Sequence, residues 1–96
     1  MHTLRPIAIA LLMLLASIGI KAQINTDRMM VIGRNALYFD DYVLAIQYFN
    51  LIINSKPYLY EPYFYRGLAK FYLEDYTGAE SDCTEAIEKG PFFPSS

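Results

Sequence analysis

Histidine and cysteine are almost missing from this chain of 96 residues, which has one of each, His2 and Cys83. His2 lies ahead of a hydrophobic run from Ile7 to Ile20, so everything after that run has no imidazole for acid–base work or for holding a metal ion. Basic residues are scarce as well, with eight Lys and Arg against ten Asp and Glu and no basic run. Phosphates need Lys and Arg partners, so nucleic acid is excluded as a partner, and an anionic membrane surface on the same ground. The acidic pairs Asp40–Asp41 and Glu74–Asp75 have no positioned partner that would turn them into an active site. Catalytic residues, metal ligands and cofactors are therefore not expected, and the chain reads as non-enzymatic.

A run long enough to span a membrane is missing too. Ile7 to Ile20 is 14 residues, interrupted only by Ser17 and Gly19, whereas a span needs about 20. That length, with Arg5 before it, suits the core of a secretory signal peptide over residues 1–22. Cleavage is expected between Ala22 and Gln23, with a cut after Gly19 as the alternative and an uncleaved anchor as the competing reading. The chain is expected to be exported, to the periplasm or the cell envelope, and to meet the membrane only through this leader. No Cys lies near the junction to carry a lipid. Losing Arg5 and Lys21 leaves six basic against ten acidic residues, a net charge of about −4 by simple counting. Cys83 could pair with another molecule, but it falls on the apolar stripe Tyr76, Ala79, Cys83, Ala86, Ile87 and reads as a buried thiol.

What is present is a repeat. At an offset of 34, residues 26–59 lie over residues 60–93 with seven identities: Gly33/Gly67, Tyr38/Tyr72, Asp41/Asp75, Tyr42/Tyr76, Ala45/Ala79, Ile53/Ile87 and Pro57/Pro91. Ordinary residue usage gives roughly two by chance. Asp41 and Asp75 suit helix starts, where an oxygen acceptor meets unpaired N–H groups. Pro57 and Pro91 end each unit, and Pro62 fits a first helical turn. The reading is four helices, over 27–39, 42–54, 60–73 and 76–89. Gly33 and Gly67 are expected to face Ala45 and Ala79, small against small, so that the paired helices approach closely.

A period of 34 with an early Gly, a later Ala and a closing Pro resembles the tetratricopeptide repeat (TPR) family. The second copy carries Tyr63, Gly67, Ala69, Tyr76, Ala79, Ala86 and Pro91 at the motif positions. The first carries Ile32, Gly33, Tyr42, Ala45, Phe49 and Pro57. Met29 replaces the aromatic that opens copy one, Arg66 replaces Leu before Gly67, and Cys83 replaces an aromatic. The resemblance implies an all-α fold, a right-handed helix-turn-helix solenoid of two TPR units (four helices) after the signal peptide. Its domain would span 23–93, followed by a tail at 94–96. It also implies a concave groove lined by Met30, Arg34, Leu37 and Tyr38 from copy one and Phe64, Leu68, Phe71 and Tyr72 from copy two. That groove is apolar and aromatic, and lacks the Lys and Asn with which some TPR grooves clamp a peptide carboxylate. The other reading of these rings is that they fill the space between helices.

Leu44, Tyr48 and Leu51 form a second stripe at helical spacing, on a helix that is apolar almost all round. Their counterparts Gly78, Asp82 and Glu85 are expected to face water. The helix over 42–54 is written to be covered, by the segment after Gln23, by a second chain or by a partner. Two repeats are fewer than stacked units usually need, so marginal stability is expected. The leading expectation is an exported interaction module that holds an extended segment of another protein in an aromatic groove. The alternatives are a self-associating structural protein and the N-terminal interaction domain of a larger exported enzyme or sensor.

Overall fold

The structure, a computed structural model, describes residues 6–12 and 25–91. Its described residues are helical throughout apart from short turns, and the fold is all-α. Residues 6–12, within the expected leader, are helical and exposed. The rest of that leader, the Ala22–Gln23 junction and the tail at 94–96 lie outside the described residues. Among the described residues no helix is long and apolar enough to cross a membrane.

Four helices follow: α1 (Thr26–Tyr38), α2 (Tyr42–Ser55), α3 (Glu61–Tyr72) and α4 (Tyr76–Lys89). Each end falls within one residue of the position expected from sequence, because the residues that set the ends are local. Asn25 Oδ1 accepts from the Arg28 N–H at 3.2 Å. Asp41 Oδ1 accepts from Leu44 N–H at 3.3 Å, and Asp75 Oδ1 from Gly78 N–H at 3.0 Å. Both aspartates thus cap orphan donors at helix starts. Pro62 lies in the first turn of α3, where no N–H is missed.

The turns within the two helix pairs match bond for bond at the offset of 34. In the first, Asp40 N–H donates to Leu37 O at 3.0 Å and Asp41 N–H to Ala36 O at 2.8 Å. In the second, Glu74 N–H donates to Phe71 O at 2.9 Å and Asp75 N–H to Lys70 O at 2.8 Å. These two bonds are the helix-ending Schellman pattern, which needs a left-handed residue. Asp40 and Glu74 supply it at φ 62° and 66°. The next residue is already the cap of the following helix, so each turn has no spare residue.

Each helix packs on the next in sequence, and α1 also touches α3. The core lies among α1, α2 and α3: Ala36, Ala45, Phe49, Ile52 and Ala69 are buried, with Met30, Leu37, Tyr42, Ile46 and Tyr65 packed against them. The two glycines differ from the small-against-small expectation. A Cβ on Gly33 would stand 2.7 Å from the Phe49 ring, so Gly33 makes room for an aromatic and not for Ala45. A Cβ on Gly67 would meet Asp82 Cβ at 3.1 Å, the Ala79 carbonyl at 3.2 Å and Cys83 Sγ at 3.3 Å. Only the second pair has the close helix approach that was expected.

Candidate functional site

An apolar groove runs between α3 and α4 on the face turned away from α2. Phe64, Leu68 and Phe71 form one wall, and Tyr76, Ala79 and Cys83 the other. Gly67 leaves the floor open, Glu80 stands at the rim, and the hollow encloses about 370 Å³. A second apolar hollow of about 240 Å³, lined by Phe64, Cys83, Ala86 and Ile87, adjoins it. Helical spacing explains the lining, since 64, 67, 68 and 71 share one face of α3 and 76, 79, 80 and 83 share one face of α4. Phe64 and Phe71 remain 46% and 53% exposed, so an apolar surface is open to water where a partner could cover it. Phe71 meets the Tyr76 ring edge-on at 5.5 Å, which fixes that end of the groove.

The eight residues expected to share one concave groove do not come together. Phe64, Leu68 and Phe71 line the groove between α3 and α4. Met30 and Leu37, their counterparts in α1, are packed against the core beneath α3. Arg34 is exposed and reaches over the Tyr65 ring, 5.9 Å from its centre. Tyr72 stacks on Tyr42 with centres 5.1 Å apart, and Tyr38 is 81% exposed at the free side of α1. Cys83 is a free, half-buried thiol in the groove wall rather than a buried core residue, because Gly67 opposite it gives no side chain to cover it.

On the second surface Leu44 and Leu51 are exposed and Tyr48 is half-buried. Their counterparts do not all face water, because Asp82 is only 3% exposed. Its Oδ2 accepts from Arg66 Nε at 2.8 Å and its Oδ1 from Arg66 Nη2 at 2.7 Å, and Lys70 Nζ lies 3.0 Å from Oδ2. Arg66 Nη1 also donates to Asn50 Oδ1 at 2.8 Å, so one guanidinium ties α2, α3 and α4 together. Burial by itself would raise the Asp82 carboxyl, but the bonds from Arg66 and then Lys70 outweigh it and hold it below the usual carboxylate range. Burial, then its bond to Asp40 at 3.0 Å, raises the Tyr42 hydroxyl above the usual phenol range.

This ionic cluster is what sequence reasoning missed. A signal for it existed: at the offset of 34, Ile32 and Tyr48 are replaced together by Arg66 and Asp82, an opposite-charge pair in place of an apolar one. Among the described residues no group of His, Cys, Asp and Glu is arranged to hold a metal ion. The chain matches no protein-family model and no curated protein sequence.

Proposed function

We propose that this chain is an exported, non-enzymatic interaction module, a right-handed solenoid of two TPR-type units that holds a segment of another protein chain in the groove between α3 and α4. The observation that carries this reading is the groove itself: an aromatic-walled hollow left open between α3 and α4. Apolar concave sites with exposed rings at their margins are where proteins bind segments of other chains. The 34-residue offset and the matching turn bonds support the repeat architecture. The leader over 1–22 supports export to the periplasm or envelope, and the acidic composition keeps nucleic acid and anionic membrane out of the groove.

The test places a maleimide-linked photo-cross-linker on Cys83, whose thiol lies in the groove wall, and a second on Thr84→Cys, on the exposed side of α4, in a Cys83→Ser background. Partner adducts at Cys83 and not at Thr84→Cys support the reading. Phe64→Ala and Phe71→Ala should keep native helicity in circular dichroism, since both rings are half-exposed, yet lose about thirtyfold or more in capture. Equal labelling at both sites, or capture unchanged by either truncation, sinks it.

A further inference from the structure

The internal repeat shows what this groove is shaped to receive. Moved back by 34 positions, Phe64, Gly67, Phe71, Tyr76, Ala79 and Cys83 become Met30, Gly33, Leu37, Tyr42, Ala45 and Phe49. In the first unit that same set is covered by α3. Tyr65 stacks on Phe49 at 5.9 Å, Tyr72 stacks on Tyr42 at 5.1 Å, and Ala69 joins the buried cluster between them. Residues 65, 69 and 72 are one helix face, at i, i+4 and i+7.

The helix in this chain that repeats that face is α1, where the corresponding residues are Val31, Asn35 and Tyr38. None of them is buried within the described fold: Val31 is 47% exposed, Asn35 is exposed, and Tyr38, which meets only the edge of the neighbouring Phe39 ring at 5.2 Å among the ring contacts described, is the most exposed large apolar side chain of the four-helix unit. We infer that the groove between α3 and α4 accepts the α1 face of a second copy, so that the chain associates head to tail. Tyr38 of one copy then stacks on Tyr76 of the next as Tyr72 does on Tyr42, and Val31 covers Cys83 as Tyr65 covers Phe49.

The side chains change in step on both surfaces. Arg34 over the Tyr65 ring becomes Leu68 beside Val31, so a cation–ring contact is exchanged for an apolar one. Ile46, packed against the cluster that holds Ala69, becomes Glu80, and Ala69 becomes Asn35, an amide that can donate to that carboxylate. Cys83 and Val31 are smaller than Phe49 and Tyr65, while Phe64 and Phe71 are larger than Met30 and Leu37. One bond of the internal junction has no counterpart: the Tyr63 hydroxyl donates to Pro57 O at 2.9 Å, and Met29 stands in its place in α1. The association is therefore weaker than the junction within the chain and depends on concentration. The two surfaces differ, so the contact is heterologous and propagates. This inference rests on the groove being a protein-binding site and on removal of the expected leader.

The decisive experiment is a mixing test by sedimentation on the processed protein as recovered from cells. Wild type should gain mass beyond a dimer as concentration rises. Val31→Asp spoils the α1 face and Phe71→Asp spoils the groove, so each alone should be monomeric, weakened about thirtyfold or more. An equimolar mixture should form a dimer and nothing larger, because each variant retains the surface the other lacks. Tyr38→Asp and Phe64→Asp replace either variant that loses helicity. A wild type that stays monomeric at every concentration overturns the inference, as does a mixture that fails to pair or association untouched by any of the four changes. Partner cross-linking from Cys83 that is lost in Phe71→Asp but intact in Val31→Asp, with a monomeric wild type, leaves the interaction module standing and removes only self-association. Loss of neither removes both.

Discussion

The carboxylate of Asp82 shows how one residue reconciles a polar sequence with a packed interface. Its position faces α3 across the Gly67 gap, and the first unit has Tyr48 and Ile32 where the second has Asp82 and Arg66. A lone carboxylate there would be costly, and Arg66 and Lys70 remove the cost together. Asp82→Asn keeps the shape but leaves two cations facing a neutral amide. Because Arg66 and Lys70 retain some water access, the loss should be about 2–3 kcal/mol rather than the full cost of an orphaned buried charge. The folded-state carboxyl is depressed relative to about 3.9 in the unfolded chain, so its contribution is complete above about pH 4 and fades as pH falls further. Urea denaturation at a series of acid pH values should show this decline in wild type and a flatter acid limb in Asp82→Asn. Sequence patterning missed the residue because periodicity registers polarity and not the partner that neutralises it.

At the level of elements, the helices were legible and the groove was only half so. Helix ends agree with expectation because Asp41, Asp75, Pro57 and Pro62 act on neighbours a few residues away. The division of the expected groove residues between core and surface depends on how α3 lies across α1 and α2, which no single unit encodes, so Met30 and Leu37 turned out covered while Phe64 and Phe71 did not. The turns carry a cost that is open to measurement. Asp40 and Glu74 hold left-handed backbone where glycine is usual. Glu74→Gly should relieve that strain and raise stability by up to about 1 kcal/mol after the greater unfolded-state freedom of glycine is counted. Asp40→Gly should gain less, since it also removes the acceptor of the Tyr42 hydroxyl. Chemical denaturation of the two variants side by side checks the order; a loss in both would mean the turns are not strained.

For the molecule as a whole, the core is small and held mostly by α2. Phe49 and Ile52 are fully buried and join the two units, so the four helices should melt together. Phe49→Ala should cost about 3–5 kcal/mol, comparable to all that a domain of this size has to spare. Head-to-tail association would add stability by mass action, so the midpoint of thermal unfolding should climb with protein concentration in wild type and stay level in Val31→Asp. Calorimetry over a range of concentrations reads both. A high midpoint that ignores concentration would mean that the two units suffice alone.

The Arg66–Asp82 bridge has a consequence for how the chain finds its fold. Two units built on one pattern risk exchanging partners during folding, with α1 closing on α4 or α3 on α2 in the wrong register, and repeat proteins are prone to this error. The bridge labels one pair. Had α3 closed on α2 as α1 does, Arg66 would meet Tyr48 in place of a carboxylate, and Asp82 would be left beside Ile32. Either mismatch buries an unpaired charge, whereas the correct pairing buries none. The ion pair thus acts as an address as well as an attachment, and replacing Arg66 and Asp82 with the Ile32–Tyr48 chemistry would erase the difference between right and wrong partners even where it left the native core as stable.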